Sequence, residues 1–138
     1  MKITEISCLC GAVRLRLTGE PSVQFYCHCD DGQAVHGAAY VGVAMYPADA
    51  VQVTQGELET WTHKTRPRRR CAACGTWALA EVPELGTRGV KANFLPKGAF
   101  TPEFHQQCRY AMLPVTDDLP HYKSLPARFG GSDETVEW

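Results

Sequence analysis

Cys8-Leu9-Cys10-Gly11 and Cys71-Ala72-Ala73-Cys74-Gly75 are two short cysteine knuckles set far apart in a chain of 138 residues. Zinc takes about four ligands in a tetrahedron, and thiolates supply charge as well as geometry, so two such knuckles brought together by folding would close the shell. The glycine after each pair suits a tight turn of positive φ that aims backbone N–H groups back at the sulfurs. The other reading is two buried thiol pairs or a set of disulfides. Against disulfides stand the odd count of seven cysteines and the absence of an apolar leader in Met1 to Ser7. A reducing, cytoplasmic setting is therefore expected.

Composition narrows the remaining classes. No stretch approaches the ~20 apolar residues of a membrane helix, so no membrane partner is expected. A net charge of -1, from 14 basic and 15 acidic residues, provides no global field for nucleic acid or an anionic surface. The length fits a single domain, residues 1–138, with a core that zinc would clamp more than replace.

Short alternating runs recur, with nine prolines and twelve glycines between them. Val13, Leu15 and Leu17 alternate with Arg14 and Arg16, and Val23, Phe25, Cys27 and Cys29 share one face of the next extended run. Further strands are predicted over 38–46, 51–54, 59–65, 77–82, 89–93 and 107–111. No window carries an apolar i, i+3, i+4, i+7 stripe of useful length, so the fold predicted is mainly β, with folded sheets pinned by a structural zinc. The segment 126–138 reads as a loop that wraps the body.

The third cysteine group, Cys27-His28-Cys29, is where chemistry is expected. Strand alternation puts Cys27 and Cys29 on one side and His28 on the other. Two thiolates fall short of a catalytic zinc site, which usually keeps three protein ligands and an open position.

Taken in order, Cys8-Leu9-Cys10-Gly11-Ala12-Val13, Cys27-His28-Cys29 with His36-Gly37, Gly56-Glu57-Leu58, Cys71-Ala72-Ala73-Cys74-Gly75-Thr76 and Leu119-Pro120-His121-Tyr122 span nearly the whole chain. In this arrangement the sequence resembles the glutathione-dependent formaldehyde-activating enzymes, a family that includes the centromere protein V relatives. The resemblance implies an Mss4-like twisted β architecture and a structural Zn²⁺ on Cys8, Cys10, Cys71 and Cys74. It also implies carbon–sulfur lyase or thiol–aldehyde adduct chemistry at a second Zn²⁺ on Cys27, Cys29 and position 32, with glutathione and formaldehyde as partners. Position 32 is Gly32. Losing one of three thiolates weakens a site by several kcal/mol, given the ~10–16 kcal/mol a full structural site provides.

His36, His28 and Cys108 can be named as substitutes for that ligand, His28 facing away if the strand is regular, and His36 joins Cys27 and Cys29 as the expected catalytic set. His28, His36, His105 and His121 are candidates for moving a proton. The basic run Lys64-Thr65-Arg66-Pro67-Arg68-Arg69-Arg70 reads first as a solvated strand edge, next as a cradle for the carboxylates of glutathione, and last as a nucleic-acid contact. Asp30-Asp31-Gly32 reads as a turn, and 119–123 as a rigid loop bordering the site. Two functions stand: a zinc-dependent carbon–sulfur lyase forming S-(hydroxymethyl)glutathione-like adducts, and a non-catalytic structural-zinc binding module whose second metal site is degenerate. Monomer and homodimer are both compatible with the exposed edges expected.

Overall fold

The computed structural model describes residues 1–138. The chain is mainly β, with strands β1 (Ile3–Ser7), β2 (Arg14–Thr18), β3 (Val23–Cys27), β4 (Val41–Pro47), β5 (Val51–Gln55), β6 (Leu58–His63), β7 (Arg66–Cys71), β8 (Trp77–Val82), β9 (Thr87–Lys91) and β10 (Phe104–Gln106), and one short helix, α1 (Asp30–His36). It divides into two compact units, Met1–Val23 with Ala44–Phe100 and Gln24–Val43 with Thr101–Trp138.

In the first unit β1, β2 and β5 form an antiparallel sheet, with Ile6 opposite Leu15 and Leu17 opposite Val51. Alternation decides which side is buried. Leu15 and Leu17 are fully covered, while Arg14 and Arg16 stay in water. A second antiparallel run, β6 to β9, is built from successive neighbours. Ile6, Val13, Leu15, Leu17, Tyr46, Val51, Leu79 and Val90 pack into one apolar cluster that also takes in Cys8 and Cys71. Burying each such aliphatic side chain contributes roughly 1.5–3 kcal/mol.

In the second unit β3 and β10 pair in parallel, Phe25 beside Phe104 and Cys27 beside Gln106. The Phe25 and Phe104 rings stack at 5.5 Å. Parallel and antiparallel pairs thus coexist, and the mainly β fold with twisted, mixed sheets is the one expected. The segment after β10 folds back on it, with His105 bridging to His121 and Tyr122 to Thr135.

Three local expectations are corrected. Asp30-Asp31-Gly32 is the first turn of α1, not an isolated turn, and the extended run ends at Cys27 where Cys29 begins the helix. Seven residues make two turns, too few for a legible apolar stripe, although carboxylates at the N-terminus and Gly37 in a left-handed conformation at the C-terminus are ordinary helix-end signals. The strand predicted over 107–111 is a 3₁₀ turn at Cys108–Tyr110, entered through Gln107 at φ 57°, and the strand lies three residues earlier. The arginine run is no strand edge: β7 is flanked by β6 and β8, and Arg68 is 5% exposed.

Candidate functional site

The two knuckles are the same device used twice. Cys8 directly follows β1, its N–H donates to Val13 O at 3.0 Å, and Gly11 N–H donates back to Cys8 O at 3.0 Å. Cys71 ends β7, its N–H donates to Thr76 O at 2.9 Å, and Gly75 N–H donates to Cys71 O at 2.9 Å. Both glycines hold positive φ, 79° and 75°, as their place after each pair required. Each knuckle therefore turns the chain between two antiparallel strands and presents its sulfurs to one point.

The four sulfurs converge within 4.8 Å of one another. Cys8 and Cys10 sulfurs lie 3.6 Å apart, and those of Cys10 and Cys71 3.8 Å apart. A tetrahedron with Zn–S bonds of about 2.3 Å has edges of about 3.8 Å, so the donor set and its spacing fit zinc. Backbone N–H groups also reach the sulfurs, Val13 to Cys8 at 3.3 Å and Cys74 to Cys71 at 3.4 Å.

Electrostatics inside the cluster favour a cation. The Thr76 hydroxyl, 3.0 Å from the Cys74 sulfur, and nearby backbone donors draw the Cys74 thiol down to about 6. The Ala12 N–H pulls Cys10 the same way, but the adjoining Cys8 and Cys74 thiols win and push it up to about 12. Four neighbouring thiols cannot all ionise against each other. A divalent ion held by Cys8, Cys10, Cys71 and Cys74 would remove that conflict and clamp β1–β2 to β7–β8.

The arginines leading into the second knuckle are already engaged. Arg70 lies between the Trp61 and Trp77 rings, 5.6 and 5.4 Å from their centroids, and pairs with Glu59 at 3.1 Å. Arg69 meets Glu81 at 3.4 Å and Arg66 meets Glu84 at 2.9 Å. Pairing with carboxylates leaves this run ill suited to cradle the carboxylates of a ligand or a phosphate backbone.

In the second unit the Cys29 thiol is hydrogen-bonded to Cys27, which together with burial pushes its pKa well up. Gln106 Nε2 donates to the Cys27 sulfur at 3.6 Å. Cys108 is buried, and burial followed by the charges of Cys27 and Asp117 pushes its thiol up to about 12. A Cβ added at Gly32 would stand 2.8 Å from the Cys29 sulfur, so the side chain missing at this position would face the thiol pair. Cys27, Cys29 and His36 do not bring three ligand atoms together; the groups that do are the four cysteines and His105, Asp117 and His121. The residues present therefore do not fit a three-ligand zinc at Cys27 and Cys29.

Three of the histidines noted in the sequence join a hydrogen-bonded chain through a residue the sequence reading passed over. His28 Nε2 lies 2.9 Å from His105 Nδ1, His105 Nε2 lies 2.7 Å from Asp117 Oδ2, and His121 Nε2 lies 3.0 Å from Asp117 Oδ1. Strand β10 fixes His105, whose N–H donates to Pro120 O and whose carbonyl accepts from Tyr122 N–H, each at 2.9 Å. Trp138 covers the chain, with its ring 4.4 Å from His121 and 5.6 Å from His28. The only sequence signal for Asp117 was its place four residues before His121.

Burial raises the Asp117 carboxyl, but hydrogen bonds from His105 and Leu119 N–H outweigh it, and the net direction is down. An ionised Asp117 accepts from both Nε2 atoms, which leaves His105 Nδ1 to accept from His28 Nε2–H. Burial, then the neighbouring His105 and His121, bring His28 down to about 4 from its ordinary 6.5, so it is neutral at pH 7. The unfolded chain therefore takes up this proton first, and the stability of the neutral form is full above pH 6.5 and drains as pH falls toward 4. We expect urea unfolding to show a loss on the order of 2 kcal/mol from pH 7 to pH 5 through this group. The His28→Gln variant is expected to show a pH dependence smaller by that amount.

No helix is long and apolar enough to cross a membrane. No curated protein matches the chain. A crystal structure of a Rhodobacter sphaeroides protein is similar in fold, with TM-score 0.56 and 19% identity, over 68% of this chain and 89% of that one. Residues 3–112 match the family described as glutathione-dependent formaldehyde-activating enzyme. With that match covering both knuckles and the Cys27-His28-Cys29 group, the chain belongs to the glutathione-dependent formaldehyde-activating enzyme family.

Proposed function

We propose that the protein makes and breaks a carbon–sulfur bond between a small thiol such as glutathione and an aldehyde such as formaldehyde, at Cys27 and Cys29. The observation that carries this reading is the hydrogen-bonded pair of thiols at the start of α1, in a chain whose family is described by that chemistry. The Cys8, Cys10, Cys71 and Cys74 cluster has a structural part, and a metal there would supply rigidity to the first unit.

The step needs no oxidant. Cys27 acts as a thiolate that accepts from the Cys29 S–H and from the Gln106 amide, and it takes the proton of the incoming thiol. The sulfur electron pair of the incoming thiol then forms the S–C bond as the C=O π pair moves to oxygen. The alkoxide takes the proton back from Cys27, which gives an S-hydroxymethyl thioether and restores the protein. Cleavage is the reverse. Because Cys27, Cys29 and His36 do not assemble three ligand atoms, no step is given to a metal at this place, and His36 is given none.

The test is exchange between formaldehyde and glutathione followed by NMR. The wild type is expected to accelerate adduct formation, and Cys27→Ser and Cys29→Ser each to lose tenfold or more, in the range of a lost acid–base group. An exchange rate unchanged by wild-type protein would overturn the reading.

A further inference from the structure

His105, Asp117 and His121 use their polar atoms on one another, yet their arrangement also has the parts of a coordination site. Two imidazole Nε2 atoms face the two oxygens of one carboxylate, at 2.7 and 3.0 Å. Ligand atoms bound at about 2.0–2.1 Å stand about 2.9–3.4 Å apart in octahedral or tetrahedral geometry, so a small expansion of this group admits an ion. The backbone pairing of His105 with Pro120 and Tyr122 sets the two imidazoles side by side before any ion arrives.

The surroundings supply what a metal-bound histidine needs. A ligating imidazole almost always spends its second nitrogen on an outer partner that fixes its tautomer and orientation. His105 Nδ1 has that partner in His28 Nε2 at 2.9 Å, and both rings are buried, at 0% and 1% exposure. Asp117 and His121 keep 30% and 14% of their side chains exposed, which leaves a way in.

We propose that His105, Asp117 and His121 form a second metal site, for a borderline divalent transition ion such as Zn²⁺, Ni²⁺ or Co²⁺, with His28 as the outer partner of His105. Two imidazoles and one carboxylate suit these borderline ions better than a soft ion such as Cu⁺. On binding, the protons on His105 Nε2 and His121 Nε2 move to their Nδ1 atoms, and His28 turns from donor to acceptor, so no net proton is released. Three protein ligands leave a coordination position for an oxygen ligand from solvent or substrate. The site is independent of the thiol chemistry at Cys27 and Cys29, because no cysteine contributes to it.

Protein already replete with zinc at the cysteine cluster is dialysed against Ni²⁺, with bound nickel counted by elemental mass spectrometry and Trp138 fluorescence followed. Wild type, and equally the Cys27→Ser/Cys29→Ser double variant, are expected to take up about one nickel per chain and to show quenching of Trp138 fluorescence. His121→Ala and Asp117→Asn, each checked for native circular dichroism, are expected to bind at least tenfold more weakly and to lose the quenching; Trp138→Phe is expected to bind nickel without it. Uptake that survives in His121→Ala, that vanishes in the cysteine double variant, or that is absent from the wild type would overturn the proposal.

Discussion

Removing metal with a chelator, or replacing Cys71 by serine, is expected to unfold the first unit. Cys8 and Cys71 are both core residues, 4% and 1% exposed, and their sulfurs are held 3.8 Å or less from Cys10. Without an ion, hydrogen bonds from Cys10 help hold the Cys8 and Cys74 thiols down, while those same neighbours push Cys10 itself up to about 12. A four-thiolate zinc contributes on the order of 10 kcal/mol, against a total stability of ~5–15 kcal/mol for a domain, so little of the stability would remain. The measurement is thermal unfolding with and without chelator, alongside metal stoichiometry. Serine at Cys71 is expected to abolish metal at the cluster and its melting transition together. Cys108→Ala, a buried thiol outside the cluster, is expected to cost about 1 kcal/mol and to leave that metal in place. A chelated, metal-free protein that melts unchanged would show that the sheets hold without the clamp.

How far the sequence disclosed this molecule depends on the range of each signal. The cysteine cluster was legible because its two halves each carry a local turn with a glycine of positive φ, and only their meeting had to be inferred. Strands of the first unit were legible where one face is buried and one is wet, as in Leu15 and Leu17 against Arg14 and Arg16. β7 was misread because its covering is cross-strand: Glu59 opposite Arg70, and the Trp61 and Trp77 rings on its guanidinium, lie on other strands. The imidazole chain was hidden for the same reason. His28, His105 and His121 come from three places in the sequence, and Asp117, which joins two of them, sits in a loop where no periodicity marks it.

Replacing Gly56 by alanine is the second substitution expected to have a large effect, and it connects the turn between β5 and β6 to the four-cysteine cluster. Gly56 holds φ at +86°, and a Cβ there would lie 2.2 Å from Ala12 O and 3.0 Å from Val13 Cα. Both contacts are backbone, and Val13 is fully buried, so no side chain can swing aside to make room. The segment that would have to move is the one whose N–H groups reach the first knuckle, Ala12 to the Cys10 sulfur at 3.5 Å and Val13 to the Cys8 sulfur at 3.3 Å. Gly98 is the matched control, at φ +87° with nothing within 4 Å of an added Cβ. Gly98→Ala is expected to cost about 1–2 kcal/mol, the ordinary penalty of a left-handed alanine. Gly56→Ala adds the displacement of a packed backbone, for a total of about 4 kcal/mol or more, and weaker metal retention by Cys8 and Cys10. Urea unfolding of both variants, with metal competition against a chelator, separates the two contributions. Equal costs and equal retention would mean that the β5–β6 turn yields without disturbing the knuckle, whereas a loss of metal confined to Gly56→Ala would tie the cluster's geometry to this one close approach.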